Sequence, residues 1–186
     1  MHTLIRAVAP AAALVSVLAA APQSLAEDRT PVAAQEVVPG TGVEFSEAGA
    51  RSTRTRAVAA EDPAAVSATA TLCGSGYRLE YAERLPDARR FGTLFTYTMH
   101  GSGKYGACAV FENNLGAAKK MKLKLCPNKA GVSCKVDDGT YSQYAGPVKY
   151  EATGSGTWVD CTTATAVMWS DGVPIIDRVT TVAACD

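Results

Sequence analysis

MHGSGKYGACAV, residues 99–110, places Gly101, Gly103 and Gly106 in the order G-x-G-x-x-G and runs on into apolar residues. A dinucleotide-binding loop has the same spacing. Its glycines lie between a parallel strand and the N-terminus of a helix, where backbone N–H groups and the helix dipole meet a pyrophosphate. The flanking sequence decides between that fold and its alternative. Residues 92–99 are rich in Phe, Tyr and Thr, and Cys108-Ala-Val-Phe111 is a short apolar run. Both read as strands, so the glycines form a hairpin loop. Lys104 does not make the loop a phosphate cradle, because a Gly-Lys-Ser/Thr ending and a following helix are both missing.

The same period-two or β-rich signal continues outward. Tyr77-Arg-Leu-Glu-Tyr81 alternates, Lys120-Met-Lys-Leu-Lys-Leu125 alternates cleanly, and residues 147–152, 157–162, 164–169 and 175–183 supply further β-rich runs. Asp137-Asp-Gly139 reads as a hairpin turn, since Gly supplies the positive φ that Asp tolerates. Seven or eight strands between Thr69 and Asp186, with no sustained helical period, predict an all-β fold. It is a small disulfide-stabilised antiparallel β-sandwich or barrel.

Ahead of this domain the composition changes twice. Residues 1–26 have a short basic start ending at Arg6, an apolar run over 7–21 and small residues at Ser24-Leu-Ala26, which predicts a signal peptide cleaved after Ala26. The apolar run falls short of the roughly 20 residues that span a bilayer, and no transmembrane segment is expected in the mature protein. Residues 27–68 are dominated by Ala, Pro, Val, Glu and Arg, lack Cys, and carry seven acids against four bases. Alone, such a segment buries too little apolar area to offset an ordering entropy of about 1–2 kcal/mol per residue, so a disordered linker or propeptide is expected. Within it Arg51, Arg54 and Arg56 form a basic cluster that reads as a solvated charge run or a processing site. Residues 69–186 hold all six Cys, both Trp and all seven Tyr, with thirteen bases against eleven acids.

An even cysteine set in an exported chain predicts complete pairing. Cys126 and Cys134 flank PNKAGVS, a tight loop, and pair locally; Cys161 with Cys185 brackets the last strands, which leaves Cys73 with Cys108. A zinc site is disfavoured, since there is no C-x2-C pair and His100 is the one His after the leader. No motif calls for a cofactor.

Several of these segments also resemble a known family. Cys73-Gly-Ser-Gly-Tyr77, the Gly-Lys loop entering Cys108-Ala-Val, Asp138-Gly-Thr-Tyr141-Ser-Gln-Tyr144-Ala-Gly-Pro-Val148, and Trp158-Val-Asp-Cys161 together resemble the spore-associated protein A family of small actinomycete secreted proteins. The likeness covers most of residues 71–162. It departs at Trp158, which precedes its Cys, in the Cys126–Cys134 loop, and in the tail to Cys185. The resemblance implies a small secreted β protein found with spores or in the medium, and it carries over no catalytic residues.

Among candidate functional residues, Lys119, Lys120, Lys122 and Lys124 stand out. In a strand, Lys120, Lys122 and Lys124 project from one face about 7 Å apart while Met121, Leu123 and Leu125 face the core. Such a row either docks an anionic wall polymer or protects an exposed edge strand from aggregation. Specific nucleic-acid binding is not expected, because no exposed aromatics interleave the lysines. Tyr141, Tyr144, Tyr150, Trp158 and Trp169 offer a competing sugar-binding surface or core packing. Lys129 in the clipped loop is the candidate contact of a protease inhibitor. A hydrolase would have to use His100, for which no partner base or nucleophile is legible. Asp137 and Asp138 are adjacent in sequence and so point to opposite faces, which argues against a glycosidase pair. The reading is a secreted, non-enzymatic protein at the spore or cell surface, with carbohydrate binding, protease inhibition or a small hydrolase as alternatives.

Overall fold

A computed structural model describes residues 35–186 apart from residues 88, 155 and 184–186. The expected leader, 1–26, lies outside the described residues. Eight strands form two four-stranded antiparallel sheets: β1 (Arg78–Leu85), β2 (Gly92–Gly101), β3 (Lys104–Asn113), β4 (Lys119–Cys126), β5 (Lys135–Tyr141), β6 (Tyr144–Thr153), β7 (Thr163–Ser170) and β8 (Val173–Thr181). The first sheet has the order β1-β2-β3-β6 and the second β5-β4-β7-β8. Between them lies a core in which Leu94 and Phe111 meet Met121, Leu123, Leu125 and Met168. The predicted disulfide-stabilised sandwich is therefore the observed fold. The glycine-rich segment is the turn of the β2–β3 hairpin, with Gly101 paired to Lys104 and Ser102 and Gly103 at φ of 52° and 70°.

The expected disordered linker is a correction. Residues 27–34 lie outside the described residues, but over the rest of this segment the chain forms α1 (Glu47–Arg51), α2 (Thr53–Glu61) and α3 (Pro63–Cys73). Each helix has a local start signal. The Ser46 hydroxyl accepts from Gly49 N–H, Ser52 from Thr55 N–H, and the Asp62 carboxylate from Ala65 N–H, with Pro63 in the first turn. Val58, Ala59, Val66 and Ala70 pack on Leu79, Phe95, Tyr97, Cys108 and Val110, the outward residues of the first sheet. The segment alone buries too little apolar area to order, but the sheet supplies the apolar partner surface that it lacks. Small side chains allow the close fit: a Cβ on Gly49 would lie 2.2 Å from the Leu79 carbonyl. The three arginines are engaged as well, Arg51 with Glu47, Arg54 with Glu83 and Arg56 with Glu36. The expected domain boundary at Thr69 falls inside α3.

Two smaller expectations are also corrected. Asp137–Gly139 lies within β5 instead of forming a turn, because the Asp137 carboxylate accepts from Tyr141 OH and from Gly146 N–H and so ties β5 to β6. The strand expected over residues 157–162 does not form. Instead Gly156–Val159 is a single 3-10 turn that closes the core with fully buried Val159. Disulfides join Cys73 to Cys108 and Cys126 to Cys134 as predicted. Cys161 is disulfide-bonded too, and Cys185, its expected partner, lies outside the described residues.

Two measurements check this architecture. A chain truncated to residues 69–186 loses the layer over Phe95, Tyr97 and Val110, and it is expected to bind a hydrophobic dye and aggregate, as read by fluorescence and light scattering. A monodisperse, dye-negative fragment would show the layer to be dispensable. The second concerns Glu112 on β3, whose carboxyl burial pushes from 4.5 up to about 7, with Asp62 adding to the shift and Arg84 opposing it. A raised folded-state value stabilises the fold below pH 4.5, and that contribution is lost as pH rises through about 7. Glu112→Gln is therefore expected to melt above wild type at pH 8 and level with it at pH 4, as followed by circular dichroism.

Candidate functional site

The lysine row lies on the uncovered face of the second sheet. Met121, Leu123 and Leu125 are fully buried, while Lys120, Lys122 and Lys124 face outward. Strand β4 is interior, flanked by β5 and β7, so the edge-protection reading does not apply. Register sets Lys120 between Thr140 and Trp169, Lys122 between Asp138 and Val167, and Lys124 between Val136 and Thr165. The Lys120 ammonium stands 5.2 Å above the Trp169 ring and Lys122 lies 3.5 Å from Asp138. Among the described residues no carboxylate pairs with Lys120 or Lys124. Lys119 leaves the row and donates to the Ser170 hydroxyl at 2.9 Å. Exposed Val136 and Val179 widen the face on either side.

The aromatic residues do not share one surface. Tyr150 is buried edge-on to Trp158, Tyr141 bonds Asp137, Tyr144 packs on the helix side, and only Trp169 joins the lysines. The clipped loop folds back on the body: Lys129 lies 4.9 Å over Trp158, Val132 packs on the core, and Tyr150 OH donates to the Ser133 carbonyl.

His100 is the penultimate residue of β2 and borders a cleft of about 350 Å³. Its Nε2 lies 3.2 Å from Asp160 Oδ1, a pairing invisible in the sequence because sixty residues separate the partners. Burial raises the Asp160 carboxyl, and His100 opposes that shift. The approach is off the hydrogen-bond line, since among the described residues Asp160 Oδ1 accepts no hydrogen bond. The hydroxyls that border the cleft are committed elsewhere, Ser46 to Gly49 N–H and Thr98 to Glu80. Among the described residues no hydroxyl bonds His100. Asp137 and Asp138 point apart, the first to Tyr141 and the second to Lys122.

A larger cavity, about 530 Å³, opens beyond the end of the helical layer. It is walled by the Cys73-Gly-Ser-Gly-Tyr77 turn, Met99 of β2, Lys104 of the glycine hairpin, and Lys149, Glu151, Ala152 and Thr153 of β6. Tyr77 OH donates to Glu151 at 3.3 Å, and Lys149 donates to Glu151 and to the Cys73 carbonyl, each at 3.2 Å. Burial, then Glu151, pushes the Tyr77 phenol up; the Lys149 hydrogen bond holds the Glu151 carboxyl down. Here Gly106 finds its reason: a Cβ there would sit 2.5 Å from the Tyr77 hydroxyl.

No family model, curated protein or solved structure matches the chain.

Gly101 and Gly106, two of the three glycines of the opening motif, are therefore not equivalent. Gly106→Ala must displace a buried tyrosine ring and is expected to cost about 1–3 kcal/mol in urea unfolding. Gly101→Ala meets nothing within 4 Å and is expected to stay within about 0.5 kcal/mol of wild type. Equal costs would refute this assignment.

Proposed function

We propose that the protein is a non-enzymatic, extracellular binding protein that attaches to the cell or spore envelope, with the open face of the β5-β4-β7-β8 sheet seated on an anionic wall polymer. The observation that carries this reading is the asymmetry of the sandwich. Helices cover one outer face, while the other presents three lysines on an interior strand with no aggregation-prone edge to protect. Among the described residues two of those ammonium groups lack a carboxylate partner, and an extended polyanion passing along β4 meets a charge about every 7 Å. Trp169 beside Lys120 adds a flat apolar contact for a sugar ring or polyol. The disulfides fit an oxidising location, and no helix among the described residues is long and apolar enough to cross a membrane. The resemblance of the CGSGY and YAGPV segments to the spore-associated protein A family supports the envelope as the place of attachment.

Co-sedimentation of the purified, oxidised protein with insoluble hyphal and spore envelopes tests the proposal. Binding is expected to weaken steeply with salt, and Lys120→Ser/Lys122→Ser/Lys124→Ser is expected to flatten the log–log salt slope by about 2. Salt-resistant binding, or binding unchanged in the variant, would overturn it.

A further inference from the structure

Three segments that the lysine face leaves unused meet at the 530 Å³ cavity: the CGSGY turn, the glycine hairpin and the end of β6 beyond YAGPV. Their convergence follows from register. Lys104 pairs with Thr153, Gly106 with Glu151 and Cys108 with Lys149, so these six residues form two adjacent rows on one face of the first sheet. That face is the one the helices cover. The Cys73–Cys108 disulfide marks where the cover stops, leaving the ends of β2, β3 and β6 open beyond it.

The polar groups in this opening are unequally committed. Glu151 is occupied by Lys149 and by Tyr77 OH, and the phenol spends its proton on that bond. Lys149 uses two donors, on Glu151 and the Cys73 carbonyl, and an ammonium has three. Lys104 is exposed and has no carboxylate partner among the described residues. What remains for a ligand is a set of donors, the Lys104 ammonium, the third Lys149 proton and the Ser75 and Thr153 hydroxyls, with a net charge of about +1. The Met99 side chain and Tyr77 ring supply an apolar wall, and the disulfide and the ring seated over Gly106 fix it in place. A rigid concavity with convergent donors and an apolar wall is the usual form of a small-molecule site.

We propose that this cavity binds a small oxyanion, a carboxylate or phosphate monoester, carried on a compact apolar body. The site lies on the first sheet, apart from the lysine row of the second, and does not depend on the polymer reading. Its probes are phenyl phosphate, benzoate, benzylamine and benzyl alcohol, titrated into the 15N-labelled protein. Phenyl phosphate and benzoate are expected to give saturable shifts at the amides of Gly74, Ser75, Gly76 and Gly103, and their relative affinities tell phosphate from carboxylate preference. Lys104→Gln is expected to weaken both at least tenfold, Lys104→Arg to retain binding, and Lys120→Ser/Lys122→Ser/Lys124→Ser to leave it unchanged. The arginine variant also reports whether the hairpin still folds when this position is substituted. The proposal is overturned if neither anion shifts these amides, if benzylamine or benzyl alcohol shifts them equally, or if Lys104→Gln binds like wild type.

Discussion

One buried carboxylate is shared by all three layers. Glu83 on β1 is 5% exposed and is clamped by Arg54 from α2 and by Arg178 from β8, whose guanidinium also donates to Tyr81 OH. Burying a lone carboxylate costs several kcal/mol, so this group is tolerable only when both arginines are in place. Strands β1 and β8 are edge strands of opposite sheets, and α2 lies outside the first. The clamp therefore couples the helical layer to the closing of the sandwich on its β1/β8 side. The parallel bridge of Phe45 to Leu79 covers the same edge of β1 with backbone.

The helical layer was foreshadowed in β2. Residues 92–98 are buried without alternation, and a run that buries every residue needs cover on both faces. Strand β4 alternates cleanly and so declares one open face. Read together, these two strands require a partner for one outer face only, and the capping signals at Ser46, Ser52 and Asp62 place that partner just upstream. The helices themselves carry few large apolar residues, which is why their amphipathic signal is faint. Asp137–Gly139 misleads for a related reason: its turn chemistry is local, but the Asp137 carboxylate is spent on β6.

Site legibility follows the same division between local and distant. The facing of Lys120, Lys122 and Lys124 is a parity argument within one strand and survives intact. The partnership of Lys120 with Trp169, of His100 with Asp160 and of Tyr77 with Glu151 depends on register between segments far apart in the chain. The glycine motif shows both sides. Gly103 serves the turn, as a hairpin requires, whereas Gly106 serves the Tyr77 ring, which comes from much earlier in the chain.

The unequal covering of the two sheets also divides the molecule by its freedom to change. On the first sheet, a substitution at Phe95, Tyr97 or Val110 has to be matched by a compensating change in α2 or α3, because both sides of the contact are packed. On the outer face of β4 and β7 a side chain can be exchanged with little repacking. One half of the sandwich is thus constrained by packing on both faces, and the other is a surface whose contacts can change without refolding.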